Sequence, residues 1–276
     1  MTNYKILFSA PYMIPFLDRF RPELESHGLE LIVPLVQERL SEEALMEYAD
    51  EIDGTICGDD RYSERVLQAY APRLKVISKW GTGIDSIDQE AARRLGIQVR
   101  NTPNAFTTAV ADTVLGYLLA FTRQQPWMDR AVKAGEWRKI PGCTLSERTL
   151  GVVGVGNIGK AVIRRARAFG MKVYGTDIVP IDHVFLTESG VEMTTLETLL
   201  QYSDFVSLNC DLNPTSYHLI NAHTLGLMKS SSVLINTARG PIVDEAALIH
   251  ALQQRIIAGA ALDVFEAEPL PADSPL

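Results

Sequence analysis

The sequence predicts an α/β protein with two doubly wound parallel sheets. Short apolar runs rich in β-branched residues alternate with helical patterns along the 276 residues, as in βαβ units. The alternation stops once, at Asn101-Thr102-Pro103-Asn104, and then resumes. A content of 46% hydrophobic and 22% charged residues is that of a globular chain, which is long enough for two cores. We therefore predict one domain over residues 1–101 and another over residues 102–276.

The first domain is predicted to hold five strands, each followed by a helix or a turn. The apolar runs that predict them are Lys5 to Phe8, Leu31 to Val33, Gly54 to Cys57, Val76 to Ser78 and Gln98 to Val99. Ser41 and Ser63 each precede a helical pattern whose first turn is acidic, so both serines are predicted to cap a helix.

A linker and two helices are predicted between the two series of strands. Pro103 disfavours helix for Thr102 and so favours an extended crossing. Beyond it, the pattern predicts helices over Thr107 to Thr122 and Trp127 to Ala134. We expect these helices to lie near the second domain, and we expect the region 107–134 to supply the contact of a homodimer.

Five strands are also predicted in the second domain. The runs are Thr149 to Val153, Lys172 to Thr176, Phe205 to Leu208, Ser232 to Asn236 and Ala258 to Leu262. Five such strands with their helical crossovers are typical of a doubly wound sheet that binds a dinucleotide.

The second domain also carries a glycine pattern, Gly154-Val155-Gly156-Asn157-Ile158-Gly159. Such a hexapeptide is weak evidence alone, but here an apolar strand precedes it and a helical segment follows it. Gly154 would permit a tight turn, Gly156 a close approach of the pyrophosphate, and Gly159 close packing of helix on strand. Asn157 and Ile158 would open the helix, whose N-terminus favours phosphate. The pattern predicts a Rossmann-type cofactor site.

An acidic residue then indicates which dinucleotide binds. Asp177 ends the next predicted strand, 18 residues after Gly159. A carboxylate there can accept hydrogen bonds from the ribose hydroxyls and repels a 2′-phosphate. The following residues, Ile178 to Pro180, include no arginine. The sequence therefore predicts NAD rather than NADP.

Charge and composition argue against several other classes of protein. The net charge of −8 is spread along the chain, which disfavours a nucleic-acid surface. No apolar stretch is long enough for a membrane span or a signal peptide, so we expect a cytoplasmic protein with no membrane partner. The cysteines Cys57, Cys143 and Cys210 are far apart, which predicts buried reduced thiols and neither disulfides nor a metal site.

Charged residues follow two strands of the second domain. Arg239 comes shortly after the strand that ends at Asn236, and Asp263 and Glu268 follow the strand that ends at Leu262. Ligands of open α/β sheets bind outside the carboxyl ends of the strands, so these residues are candidates for the active site.

Taken together, these segments resemble the NAD-dependent D-isomer-specific 2-hydroxyacid dehydrogenases, with the D-3-phosphoglycerate dehydrogenase branch as the nearest. The resemblance covers the chain from about Ile52 onwards. It rests on the glycine loop and on three further segments: Gly81 to Asp85, Asn236 to Gly240, and Ala261 to Phe265 with Glu268-Pro269. It implies a flavodoxin-like substrate domain followed by a Rossmann NAD-binding domain, closing over the substrate.

The resemblance also implies a role for each matching residue. Arg239 would bind the substrate carboxylate and polarise the C2 oxygen, a task suited to a planar, permanently charged guanidinium. Glu268 would hold and tune a histidine that takes the hydroxyl proton. Asp263 would face the nicotinamide carboxamide. Other implied contacts are Thr237, Ala238 and Cys210 with the cofactor, and Lys79, Trp80, Gly81, Thr82 and Gly83 with the substrate.

The family's histidine has no counterpart before Leu276. In the family it follows a further strand, so we expect the polypeptide to continue past Leu276, with a truncated, impaired chain as the alternative. The five histidines present are interpreted as structural or solvated, and His218 alone lies near the cofactor-side loop.

These observations predict an oxidoreductase that transfers a hydride between NAD(H) and a small D-2-hydroxyacid or 2-oxoacid. D-3-phosphoglycerate is one candidate substrate, for which Lys79 and Arg100 are candidate phosphate ligands. The alternative is a non-catalytic NAD-sensing protein of the same fold, like the corepressors that share it. Formate dehydrogenase fits less well, because its substrate-side motifs match Gly81 to Asp85 poorly.

Overall fold

The computed structural model describes residues 3–276, which form two compact units. The first unit ends at Phe106, and the second extends from Thr107 to Leu276. The predicted division, between residues 101 and 102, lies slightly earlier in the same connecting segment. In the part of the chain that is described, no helix has the length and apolar character needed to cross a membrane.

The first unit is a parallel sheet of five strands flanked by short helices. The strands are β1 (Tyr4–Phe8), β2 (Leu29–Ile32), β3 (Gly54–Cys57), β4 (Val76–Lys79) and β5 (Gln98–Arg100). The helices are α1 (Leu17–Ser26), α2 (Glu42–Met46), α3 (Glu64–Tyr70) and α4 (Gln89–Arg94). The strand order is β2-β1-β3-β4-β5, so β3 lies between β1 and β4. The five predicted strands are all present.

The two predicted serine caps differ in outcome. The Ser41 hydroxyl accepts a hydrogen bond from the Ala44 amide at 3.2 Å and caps α2. Ser63 occupies the N-cap position of α3, but its hydroxyl makes no capping bond and is buried without a partner among the described residues. The prediction of a side-chain cap at Ser63 is therefore wrong.

The second unit begins with the helices α5 (Thr107–Arg123) and α6 (Gln125–Lys133), and a parallel sheet of six strands follows. The strands are β6 (Thr149–Val153), β7 (Lys172–Thr176), β8 (Glu192–Met193), β9 (Phe205–Leu208), β10 (Val233–Asn236) and β11 (Gly259–Leu262). The helices between them are α7 (Asn157–Ala168), α8 (His183–Ser189), α9 (Leu196–Tyr202), α10 (Ala222–Gly226) and α11 (Glu245–Gln253).

The order of this sheet is β11-β10-β9-β6-β7-β8. The chain reverses direction across the sheet between β6 and β9, and this switch point opens a crevice at the carboxyl ends of the two strands. The two-residue strand β8 was not predicted, so the sheet has six strands rather than five. One core holds Ala111, Val114 and Leu118 of α5 together with Val162 and Ile163 of α7.

Candidate active site

The loop between β6 and α7 has the geometry that the glycine pattern predicts. Gly154 has a φ of +88°, and a Cβ at this residue would lie 2.6 Å from the Cys210 amide nitrogen. A Cβ at Gly159 would lie 2.1 Å from the Gly154 carbonyl oxygen. At Gly156, in contrast, no atom lies within 4 Å of the Cβ position. Gly154 and Gly159 therefore allow close packing of the backbone, and Gly156 borders open space.

That open space lies at the N-terminus of α7. Gly156 is the N-cap residue, so no side chain caps the helix, and Asn157 is exposed. The amides of the first helical turn have no carbonyl partner within the helix and carry its positive dipole end. A phosphate group fits this position in both size and charge.

Asp177 follows β7 and lies beside the same loop. One carboxylate oxygen accepts the Val155 amide at 2.6 Å, and the other accepts the Val179 amide at 3.0 Å. These bonds fix the carboxylate, and each oxygen retains a lone pair for a further donor. The side chain also lines a cavity of about 140 Å³, to which Gly154 and Cys210 contribute.

The remaining walls of this cavity are mainly apolar and were not predicted from the sequence. They include Ile178, Leu196, Asn213, Thr215, Ser216 and Leu219. Burial raises the pKa of the Cys210 thiol to about 11, so this wall carries a neutral thiol at physiological pH. An apolar cavity beside a carboxylate suits the adenosine part of a dinucleotide.

Two polar atoms at the carboxyl ends of the central strands lack hydrogen-bond partners. They are Asn209 Oδ1, after β9, and Thr237 Oγ1, after β10, and both are buried without a partner among residues 3–276. Buried polar groups are nearly always paired, so atoms of this kind are consistent with a ligand that completes them. Together with the space at Gly156, they show that the unit fits a bound NAD.

A side-chain bond shapes the turn that carries Arg239. The Asn236 side chain donates to the Arg239 carbonyl at 2.8 Å and accepts the Ala238 amide at 3.1 Å. The Arg239 guanidinium donates to the Ala238 carbonyl at 2.8 Å. The half-buried guanidinium is thereby held beside the carboxyl end of β10.

The segment after β11 packs directly on this turn. A Cβ at Gly240 would lie 1.9 Å from the Phe265 carbonyl carbon, so the two backbones are in contact. Asp263 donates its amide to the Asn236 carbonyl at 3.0 Å. Burial and, to a lesser extent, the Asp263 carboxylate raise the pKa of the Tyr117 phenol, which is hydrogen-bonded to that carboxylate. The structure thus brings Arg239, Asp263 and the 263–268 segment together at one end of the sheet.

Glu268 forms a hydrogen bond within the 263–268 segment: its carboxylate accepts the Phe265 amide at 2.9 Å. The nearby His218 contacts a different carboxylate, with 2.8 Å between its Nε2 and Glu266 Oε1. Glu266 also exchanges backbone-to-carboxylate hydrogen bonds with Glu245 at the start of α11. These bonds tie the 263–268 segment to two neighbouring parts of the second unit.

In the first unit, the predicted substrate segment follows β4. The Gly81 amide donates to the Lys79 carbonyl at 3.1 Å, and the Gly81 carbonyl accepts the Thr102 amide at 3.0 Å. The Thr82 carbonyl accepts the Asn101 side chain at 2.7 Å. The Trp80 amide donates to the Cys57 carbonyl at 2.8 Å. These bonds hold the segment at the carboxyl end of the sheet.

Lys79 is placed differently from the prediction. Its side chain is only 2% exposed, and its ammonium group is hydrogen-bonded to Asp59. A buried ammonium paired with Asp59 is not available to a substrate phosphate, which argues against Lys79 as a phosphate ligand. The group that pairs with Lys79 is Asp59, in the turn after β3. Its proximity to β4 was not predicted from the sequence. Arg100 bonds to the Val99 carbonyl and to Gln98 of its own strand.

The three cysteines are all free thiols. Cys57 is buried as predicted, but Cys143, in the loop between α6 and β6, and Cys210, in the loop after β9, are only half-buried.

Comparison with known proteins agrees with this arrangement. Residues 115–276 match the family described as D-isomer specific 2-hydroxyacid dehydrogenase, NAD binding domain. The chain is 42% identical over 243 residues to a glyoxylate reductase of Thermofilum pendens, covering 86% of this chain and 71% of that protein. It is 40% identical over 241 residues to a D-3-phosphoglycerate dehydrogenase of Methanocaldococcus jannaschii, covering 86% of this chain but 45% of that protein.

A solved structure extends the match to the fold of both units. The D-lactate dehydrogenase of Aquifex aeolicus, complexed with NAD and lactic acid, superposes with a TM-score of 0.85 at 30% identity. The alignment covers 96% of this chain and 78% of that one.

The chain therefore belongs to the D-isomer-specific 2-hydroxyacid dehydrogenase family. It is an NAD-dependent oxidoreductase that interconverts a D-2-hydroxyacid and a 2-oxoacid. The predicted family, fold class and cofactor are confirmed. These relatives support the enzyme and give no support to the non-catalytic alternative.

Proposed function

We propose that this chain reduces an unphosphorylated 2-oxoacid, a class that includes glyoxylate. The observation that carries the proposal is the state of Lys79, the cation next to the predicted substrate segment, which is buried and neutralised by Asp59. Lys79 therefore offers no accessible charge to a substrate phosphate, whereas an oxoacid without a phosphate needs only its carboxylate and C2 oxygen bound. Several similar relatives, including that of Thermofilum pendens, are named glyoxylate reductase.

Arg239 is assigned to the substrate carboxylate and the C2 oxygen. A guanidinium supplies two parallel N–H donors to a carboxylate and stays charged throughout the reaction. The bonds within its turn hold the group in place before substrate arrives, which lowers the entropy lost on binding. Glu268 is assigned the orientation and tuning of a histidine that exchanges the hydroxyl proton.

The backbone of residues 79–83 is assigned to the substrate carboxylate in the first unit. Gly81 and the Thr82 carbonyl already bond to residues 79, 101 and 102, so the segment is rigid. Trp80, beside this backbone, is the remaining substrate contact in the proposal. Lys79 acts by holding the segment through its pair with Asp59.

NAD is assigned to the second unit, where bound NADH supplies the hydride that adds to C2 of the oxoacid. The pyrophosphate contacts are Gly154, Gly156, Asn157, Ile158 and Gly159. Asp177 is assigned to the adenosine ribose, and Cys210 to the cavity beside it. Thr237, Ala238 and Asp263 are assigned to the nicotinamide end.

The substrate proposal is tested by NADH oxidation in the presence of glyoxylate or 3-phosphohydroxypyruvate. We expect kcat/KM to be higher with glyoxylate, and we expect Arg239→Ala to lower it about 10²-fold or more, as for loss of one transition-state donor. Calorimetric titration of oxamate, an unreactive oxoacid analogue, into the NADH-bound protein checks binding independently of turnover. Arg138→Ala, which removes an exposed surface arginine, is the control. Preference for the phosphorylated substrate would contradict the proposal.

We also propose that the protein is a homodimer that associates through the 107–134 region. Val132, on α6, is 55% exposed, and Trp137, just after this region, is 90% exposed. Exposed large apolar side chains only five positions apart are consistent with a surface that a second copy covers.

A further inference from the structure

We propose that Tyr12 and Trp80 form an apolar recognition surface for the substituent on C2 of the oxoacid, so that an oxoacid with an alkyl substituent binds more tightly than glyoxylate. This inference rests on the proposed function, because it assumes that the backbone of residues 79–83 binds the substrate carboxylate. It adds to that function two residues that determine substrate preference, and it names 2-oxoacids with an alkyl substituent as the preferred class.

The topology of the first unit brings the two rings together. Tyr12 follows β1 and Trp80 follows β4, and β3 lies between these two strands. Gly58, the first residue after β3, allows the approach, because a Cβ there would lie 2.8 Å from Pro11 Cδ. The Tyr12 and Trp80 ring centroids are 5.9 Å apart, so the rings bridge the carboxyl end of β3.

Trp80 is fixed in this position by its neighbours. Its amide bonds to the Cys57 carbonyl, and its ring packs edge-on against Phe106 with centroids 5.3 Å apart. Tyr12 is 57% exposed, although a ring of this size is usually better covered. An ordered aromatic surface therefore lies directly beside Gly81, the start of the segment assigned to the carboxylate.

Charge decides what kind of substituent the surface suits. The ammonium group of Lys79 is occupied by Asp59, and the Tyr12 hydroxyl lies 3.4 Å from the Glu38 carboxylate. A phosphate placed beside the rings would meet carboxylates and apolar carbon. An alkyl substituent instead removes apolar ring surface from water, which is favourable in proportion to the area buried.

Calorimetry on the full chain with saturating NAD tests the inference, since oxidised NAD cannot reduce an oxoacid during the titration. The ligands are glyoxylate, which carries only hydrogen at the position in question, and 4-methyl-2-oxopentanoate, which carries a branched alkyl group. The wild type should bind the branched acid about tenfold more tightly than glyoxylate, as expected for partial burial of such a group.

Trp80→Ala and Tyr12→Ala should each remove most of the difference between the two Kd values. Tyr12→Ala should also leave the Kd of glyoxylate within about twofold, because Tyr12 lies outside the segment assigned to the substrate carboxylate. Tyr12→Ala keeps the test decisive if Trp80→Ala lowers stability, because Tyr12 is mostly exposed. Phe16→Ala removes another exposed aromatic ring of the same unit and should leave both Kd values unchanged.

If Tyr12→Ala and Trp80→Ala weakened the binding of both ligands equally, or left the ratio of the two Kd values unchanged, the recognition surface would be overturned while the proposed function would stand. A wild type that binds glyoxylate as tightly as the branched acid would also overturn the recognition surface. If neither oxoacid bound the wild type, the proposed function itself would fail, and this inference with it.

Discussion

Gly156 and Gly159 are three residues apart, yet a methyl group added to each meets different surroundings. The Cβ position of Gly156 faces open space, and that of Gly159 lies 2.1 Å from the Gly154 carbonyl oxygen. We expect Gly156→Ala to keep the melting temperature and to weaken NADH binding about tenfold or more, because the methyl group fills the space assigned to the pyrophosphate. Gly159→Ala should lower the melting temperature by several degrees, because the helix must shift away from β6.

Thermal unfolding and NADH fluorescence titration measure the two effects separately. A Gly156→Ala protein that binds NADH as tightly as the wild type would remove this loop from the cofactor site. Gly226→Ala is a suitable control, since its Cβ position is also open but lies at the end of α10.

Single residues also show what the sequence can and cannot predict. The glycine loop and Asp177 were predictable, because their role depends on local spacing between a strand and a helix. Lys79 was not, because its neutralisation depends on Asp59, twenty positions away in the chain and on the turn of another strand. The cavity residues Leu196, Asn213, Thr215, Ser216 and Leu219 were missed for the same reason, since they come from segments remote in sequence, although Cys210 of the same cavity was predicted.

Asp60, in the segment after β3, connects three elements of the first unit. Its carboxylate accepts the Ser9 hydroxyl, just after β1, at 2.5 Å and the Leu40 amide, just before α2, at 2.6 Å. Burial raises its pKa above the usual 3.8, more than these bonds and Lys79 lower it. The folded state therefore binds the proton more tightly than the unfolded state, so this residue's contribution to stability is full at low pH and is lost as pH rises through the folded pKa.

Asp60→Asn should accordingly gain stability relative to the wild type as the pH rises from about 4 towards neutral, because the amide keeps an acceptor for Leu40 without a buried charge. Urea unfolding of both proteins across this range measures the difference. Asp18→Asn is the control, as Asp18 has a fully exposed side chain. A difference that stays constant with pH would show that Asp60 does not titrate in this way.

The contact between the Arg239 turn and the 263–268 segment depends on Gly240. A Cβ at this position would be 1.9 Å from the Phe265 carbonyl carbon, so Gly240→Ala must push the two backbones apart. We expect a lower melting temperature and weaker binding of both NADH and oxamate, since Arg239, Asp263 and Glu268 all depend on this contact. A variant with lowered stability but unchanged affinities would show that binding of NADH and oxamate does not depend on the contact between the two segments. The same Gly226→Ala control applies.

At the element scale, strand length limited the sequence prediction. The ten strands with three or more residues were all predicted, whereas the two-residue strand β8 consists of one glutamate and one methionine, both exposed, and gives no pattern to recognise. One of the two predicted helix caps forms: the Ser41 hydroxyl bonds to the first turn of α2, whereas the Ser63 hydroxyl makes no capping bond to α3. Element type thus follows from periodicity, but the partner of an individual hydroxyl depends on packing.

At the scale of the whole molecule, the proposed homodimer makes the exposed apolar residues near the end of α6 informative. Val132→Glu combined with Trp137→Glu should convert a dimer into a monomer, because burying unpaired carboxylates in an apolar contact is costly. Light scattering after size exclusion measures this directly, with a wild-type mass twice the 30.5 kDa of one chain. Leu35→Glu is the matched control, as Leu35 is 98% exposed in the first unit and should leave the mass unchanged. A monomeric wild type, or a double variant that stays dimeric, would contradict association through this region.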